Sequence, residues 1–99
     1  MSTPRSVYRQ IAAELAAQAD AEAAANHPQL ARSHAELGLV YLAFETAPMS
    51  NPHVEAAWKA AEAARQSLTY GTAVGAQADT ARARLHLALV ELDDAQRTP

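Results

Sequence analysis

The feature that most constrains this chain is an apolar run in its middle, LGLVYLAF at residues 37–44. In a helix these side chains point in nearly every direction, whereas a helix on a protein surface has a single apolar stripe. The run is far too short to cross a membrane, which takes about 20 residues. It therefore predicts the centre of a soluble helical assembly, covered on all sides by the other segments or by a partner.

Alanine is the commonest residue in the rest of the chain, and it strongly favours helix. Glycine and β-branched residues are scarce, and 99 residues suffice for one domain with a core of its own. A buried alanine stabilises little, because its methyl group removes little area from water. We therefore predict a single helical domain, residues 1–99, whose thin core is completed by a partner or by a second copy of the chain.

Prolines and turn-forming residues divide the chain into four segments. Pro4, Pro28 and Pro52 each follow a residue suited to a cap or a turn, as is typical of proline at the first position of a helix. Asn26 and Gly71 suit the left-handed conformation that closes a helix. The predicted fold class is all-α, with four antiparallel helices of about 20 residues in a bundle or in helical hairpins, at approximately 4–25, 28–47, 52–70 and 73–95. Whether residues 72–75 are helix or hinge stays open.

The bulky apolar residues separate into a predicted core and a predicted interaction surface. Members of the core lie on the inner stripe of their helix, at helical spacing. These are Leu37, Tyr41, Phe44, Trp58, Leu85 and Leu89. Other apolar residues lie beside those stripes, where four alanine-rich helices would leave them for a partner. These are Leu39, Leu42, Leu87 and Val90. The surplus predicts a protein partner or self-association, with a homodimer as the expected state.

The charge balance limits the class of partner. The formal net charge is −3 at pH 7, and the basic face that nucleic acid or anionic lipid requires is missing. We therefore expect no membrane and no nucleic acid as partner, with a DNA-associated regulator kept as an alternative function. Cysteine is absent from the sequence, and its N-terminus has no signal-peptide pattern, so a cytoplasmic location is expected. Arg5 and Arg9 are expected to meet the acidic end of the fourth helix, Glu91, Asp93 and Asp94.

The four histidines form no metal-binding or catalytic pattern. Neither His-x-x-x-His nor Glu-x-x-His occurs, and there is no glycine-rich loop to bind phosphate. We therefore predict no catalytic residue, no metal and no cofactor, and a non-catalytic role is favoured over an enzyme. The alternative is a small-molecule-binding or enzymatic bundle whose pocket is lined by His34, Tyr41 and His86.

The segment from about Ala16 to Ala61 resembles a tetratricopeptide repeat. It contains Leu37-Gly38-x-x-Tyr41, which is similar to that family's Leu-Gly-x-x-Tyr motif. The resemblance implies that Gly38 lets a neighbouring helix approach closely and that Tyr41 fills the gap between helices. It also implies a scaffold that binds peptides or proteins. The predicted function is therefore a non-catalytic protein–protein interaction module: an adaptor, a small regulatory subunit or a self-associating helical protein.

Overall fold

Four helices make up the fold. The computed structural model describes residues 6–97, with backbone alone for Ser6 and Arg97. The helices are α1 (Ser6–Ala24), α2 (Pro28–Ala43), α3 (Pro52–Thr69) and α4 (Ala73–Arg97). No strand occurs among these residues, and no helix in this part of the chain has both the length and the apolar character needed to cross a bilayer. The all-α, four-helix prediction is confirmed, and the predicted first turn from Pro4 lies outside the described residues.

The same backbone motif closes the turns that follow α1 and α3. Asn26 has a φ of 65° and Gly71 a φ of 73°, as predicted for these positions. In the first turn the His27 amide donates to the Glu22 carbonyl at 2.8 Å, and the second turn repeats this bond at 2.9 Å. This is the Schellman motif, which satisfies carbonyls at the end of a helix. The turns define two hairpins, a first hairpin of α1 and α2 and a second hairpin of α3 and α4.

Local hydrogen bonds explain where the inner helices begin and end. α2 ends at Ala43 rather than near residue 47, because the next three amides bond to carbonyls three residues back and tighten the chain. α3 begins at Pro52, and the Asn51 side chain accepts a hydrogen bond from the His53 amide at 2.9 Å. The open question about residues 72–75 is answered by α4, which begins at Ala73 and includes Gly75.

The two hairpins pack together through α2, which contacts each of the other helices. An aromatic cluster lies at this junction, with neighbouring ring centroids between 5.5 and 6.0 Å apart and mostly edge-to-face. Its members are Tyr8 of α1, Tyr41 of α2, Phe44 directly after α2, and Trp58 of α3. Four of the chain's five aromatic residues are thus concentrated at one point, and they join helices that belong to different hairpins.

Small side chains form the interface inside the second hairpin. All of them are buried, and they come from both helices: Ala57, Ala60, Ala61 and Ala64 of α3, and Ala76, Thr80 and Ala83 of α4. The first hairpin instead buries larger residues, with Ile11 and Leu15 on α1 and Leu37 on α2. A Cβ atom added at Gly38 would lie 3.6 Å from the Ala12 carbonyl oxygen, which is an ordinary contact distance. The second half of α1 and the turn that follows it differ from both interfaces, since residues 16–29 include no buried side chain.

The apolar run at residues 37–44 is covered on one side only. Leu37 and Tyr41 are completely buried, but Leu39 remains 67% exposed and Leu42 is exposed as well. Both leucines belong to the predicted interaction surface, so their exposure is as expected, and their coverage by a partner stays a prediction. The reason is geometric: α1, α3 and α4 all contact α2, and none of these three helices covers its outer face, where Leu39 and Leu42 lie.

The predicted faces of α4 are exchanged. Leu85, predicted to lie in the core, is 62% exposed, whereas Val90, predicted to lie on the surface, is 3% exposed. Leu87, predicted to lie on the surface, and Leu89, predicted to lie in the core, are both half-buried. Trp58 on α3, another predicted core residue, is half-buried as well. The inner face of α4 must fit the alanines of α3, so its smaller side chains point inward and the bulkier leucine stripe points outward.

One of the two arginines predicted to meet the acidic end of α4 pairs with a different carboxylate. Arg9 forms an ion pair with Glu45, with the Nε and Oε1 atoms 3.0 Å apart. Glu45 lies just after α2, so this pair links the start of α1 to the end of its own hairpin rather than to α4. Arg5 lies outside the described residues. Asp93 accepts a hydrogen bond from the Asn51 side chain at 3.1 Å, which ties α4 to the start of α3.

Candidate interaction surface

Exposed leucines lie on both α2 and α4. Leu39 and Leu42 project from α2, and Leu85 and Leu92 project from α4, where Leu92 is 53% exposed. Leu39 and Leu42 line the same groove, and we call these two residues the apolar face. Large apolar side chains left this exposed on a small protein are typical of a site that another molecule covers.

A groove between α1 and α2 borders this face on one side. It has a volume of about 320 Å³ and is almost wholly apolar. Small residues from both helices make its floor: Ala12, Ala16, Ala19, Ala35 and Gly38. Leu39 and Leu42 form its outer wall, and Asp20 is its one charged member. A floor of small residues allows another backbone to approach closely.

A second groove, of about 400 Å³, lies between α2 and α4 on the other side of Leu39. Its apolar members include Leu87 and Ala88, and charged side chains line its edge. Arg84 and Glu91 are two of these, and neither has an ion-pair partner among residues 6–97. Leu39 therefore stands as a ridge between two grooves, with unpaired charges of both signs along one of them.

A third groove, of about 650 Å³, lies between α1, α2 and α3 and contains His34. The His34 ring is buried, and its Nδ1 donates a hydrogen bond to the Leu30 carbonyl oxygen at 2.8 Å. Its Nε2 makes no hydrogen bond. In the described part of the chain, the Thr80 hydroxyl is the one fully buried side-chain N or O atom without a hydrogen-bond partner. Because Nε2 of His34 also has no partner, it is not fully buried, and it is accessible from the groove. Arg65 and Glu14 form an ion pair at its edge, 3.8 Å apart.

The structure does not bring His34, Tyr41 and His86 together, so the predicted pocket is wrong as a group of three. The His34 groove includes Leu68 at the end of α3. His86 instead lies against His53 at the beginning of α3, with the two Nδ1 atoms 3.1 Å apart. These two ends of α3 are on the order of 20 Å apart, at 1.5 Å per helical residue.

Tyr41 serves as a structural link between the hairpins. Its ring is completely buried, and its hydroxyl donates a hydrogen bond to Oε1 of Glu62 on α3 at 3.1 Å. Burial disfavours the phenolate, and the nearby Glu62 carboxylate disfavours it further, so the pKa of Tyr41 is raised well above its ordinary value. The Tyr41 hydroxyl is therefore a hydrogen-bond donor that stays protonated at physiological pH.

The sequence interpretation did not foresee the contact between His53 and His86. These residues are 33 positions apart and lie on different helices, so no spacing rule could join them. They remain a pair, since the described residues hold no group of three or more His, Cys, Asp or Glu side chains that could bind a metal ion. The prediction of no metal and no cofactor stays a prediction.

Comparisons with models of protein families, with curated proteins and with solved structures give no match for this chain. The interpretation of its function therefore depends on its own geometry. That geometry offers an apolar face on α2 with a groove on either side of Leu39, and one separate groove with an accessible histidine nitrogen.

Proposed function

We propose that this chain is a non-catalytic protein–protein interaction module: an adaptor, a small regulatory subunit or a self-associating helical protein. The observation that carries the proposal is the exposure of Leu39, a large apolar ridge on the central helix with a groove on each side. Leaving apolar area of this kind in water costs about 25 cal/mol per Å² relative to covering it. A bound partner would remove that cost.

The shape of the face favours a helical partner. Helices pack by fitting the ridges of one into the grooves of the other, and an amphipathic helix laid on α2 would place apolar side chains in the grooves on either side of Leu39. The resemblance of the segment from Ala16 to Ala61 to a tetratricopeptide repeat favours the same role, because such repeats bind peptides and proteins. A cytoplasmic location and the lack of a nucleic-acid partner belong to this proposal as expectations.

A pair of matched variants tests the proposal. Leu39→Glu places a charge at the centre of the face, whereas Met49→Glu places one on another exposed apolar residue, in the loop between α2 and α3. With immobilised chain and extract of the native host, proteins retained by the wild type should also be retained by Met49→Glu and be lost with Leu39→Glu. Circular dichroism would verify that both variants keep their helices. Equal retention by the two variants would rule out this face as the interaction site.

The groove that contains His34 supports a second candidate, a site for a small molecule. Its volume of about 650 Å³ is in the range of ligand sites. The Nδ1 atom of His34 is bonded to the Leu30 carbonyl oxygen, which leaves Nε2 for a hydrogen bond with a ligand. An NMR fragment screen would test this function. A ligand that shifts the His34 ring signals and is lost in His34→Phe would support it, and a screen in which no compound shifts those signals would exclude it.

A further inference from the structure

α4 carries two apolar seams on nearly opposite sides. Both follow the alternating spacing of four and three residues that is typical of a coiled coil. The inner seam packs on α3, and its members are Ala76, Thr80, Ala83, Leu87 and Val90. The outer seam is exposed along its entire length, and its members are Val74, Ala78, Ala81, Leu85, Ala88, Leu92 and Ala95. α4 is thus built like a coiled-coil helix on two faces, and no helix within residues 6–97 packs on the outer one.

We infer that the outer seam pairs with the outer seam of a second copy, as an antiparallel coiled coil with two-fold symmetry. This inference rests on the proposed function and names the partner and the geometry. The spacing requires a helix as occupant, because a 4–3 repeat sustained over three heptads matches the surface of another helix along its full length. A second copy supplies the same repeat, and a two-fold axis satisfies both copies at once.

The sizes of the side chains select the antiparallel orientation. In the outer seam the leucines occupy one core position of the heptad, a, and the alanines Ala81, Ala88 and Ala95 occupy the other, d. In a parallel dimer leucine would face leucine and alanine would face alanine, so no single helix separation would suit successive layers. In an antiparallel dimer each a position faces a d position of the partner. Leu85 then faces an alanine, and so does Leu92, which gives layers of equal width.

The flanking charges select the same orientation. Arg84 and Glu91 both occupy position g, on the side of α4 that borders the groove with α2. In an antiparallel dimer the g positions face one another, so Arg84 meets Glu91 of the partner subunit, and the two-fold axis forms this ion pair twice. In a parallel dimer a g position faces an e position of the partner subunit. Arg84 would then lie beside Leu89 of the partner subunit, and Glu91 beside Gln96 of the partner subunit. Only the antiparallel form thus gives both unpaired charges an opposite charge.

Charge exchange between two variants tests the pairing. Arg84→Glu leaves only negative charge at the two g positions, and Glu91→Arg leaves only positive charge. Each variant alone should dissociate at least tenfold more readily than the wild type, because like charges then face each other twice. An equimolar mixture should recover wild-type association as a heterodimer. Both side chains lie on the surface and make no ion pair within residues 6–97, so neither change should affect the fold, which circular dichroism would verify.

The readout is the mass in solution, measured by sedimentation equilibrium over a series of concentrations. The wild type should approach twice the chain mass of 10.5 kDa, and Leu85→Glu should stay at one chain mass. A wild type that remains monomeric up to its solubility limit would overturn the inference, as would a mixture of the charge variants that fails to recover association. A monomeric wild type that still loses its host partner with Leu39→Glu would refute the coiled coil and leave the proposed function in place.

Discussion

Alanine is abundant in both hairpins, but it faces mainly solvent in α1 and the helix–helix interface in α3. In α1 the one buried alanine is Ala12. In α3 the alanines at one helical face are almost completely buried, namely Ala57, Ala60, Ala61 and Ala64. The comparison teaches that alanine becomes a core residue where the opposite helix is equally small, as α4 is at Ala76 and Ala83. Where the opposite residues are large, alanine is left on the outside.

The largest expected effect comes from enlarging a buried alanine of the second hairpin, with the same change at an exposed alanine of the first hairpin as its control. Ala61→Leu adds three carbon atoms to a fully buried position between α3 and its neighbours, and overpacking of this kind costs about 1–3 kcal/mol. Ala17→Leu makes the same change on the exposed side of α1 and should alter the unfolding free energy by no more than about 0.5 kcal/mol. Urea denaturation would measure both. Similar losses in the two variants would refute the difference between the hairpins.

The junction between the hairpins is tested by Tyr41→Phe. The variant loses the hydrogen bond to Glu62, so at neutral pH it should be less stable by about 1–2 kcal/mol. The pKa of Tyr41 is raised in the folded protein above its ordinary value of 10.0. The stability linked to that shift is complete below pH 10 and is lost as the pH rises, because the unfolded chain then ionises first.

The difference in unfolding free energy between wild type and Tyr41→Phe should therefore shrink above pH 10. Urea denaturation at pH 7 and at two values above pH 10 would measure it. Tyr70→Phe, at an exposed residue, is the matched control and should not change the pH dependence. A difference between wild type and Tyr41→Phe that stays constant with pH would contradict the buried, carboxylate-bonded hydroxyl.

The smallest expected effect compares one buried hydroxyl in each hairpin. The Thr80 hydroxyl has no hydrogen-bond partner within the described part of the chain, so Thr80→Val should stabilise the protein by about 1 kcal/mol. Ser33 is equally buried but donates to the Gln29 carbonyl oxygen at 2.9 Å. Ser33→Ala should therefore bring no comparable gain. Thermal unfolding of the two variants would decide, and a loss of stability in Thr80→Val would show that its hydroxyl is satisfied.

Local chemistry made much of the fold predictable from the sequence. Asn26 and Gly71 mark the two turns because few residues tolerate positive φ, and Pro28 and Pro52 mark helix starts because proline suits the first helical position. The inner face of α2 could also be predicted, because its large residues recur at helical spacing. Each of these features depends on residues close together in the chain.

Features that depend on the opposite helix could not be predicted in the same way. α4 carries two stripes with the same spacing, and periodicity identifies residues that share a stripe without telling which stripe faces inward. Side-chain size alone predicts that the bulkier stripe, with Leu85, faces the core, but α3 packs against the smaller one. The contact of Tyr8 with the aromatic cluster and that of His53 with His86 depend on tertiary packing for the same reason, and no local signal indicates them.

The bare second half of α1 has a consequence for how the molecule opens. Residues 16–29 contribute no buried side chain, so the end of α1 is held mainly by its own backbone hydrogen bonds and by the turn at Asn26. Segments with few buried contacts unfold locally at a small free-energy cost. Amide hydrogens there should exchange with solvent long before those of α3. The tip of the first hairpin can therefore fray and reform while the aromatic junction stays closed.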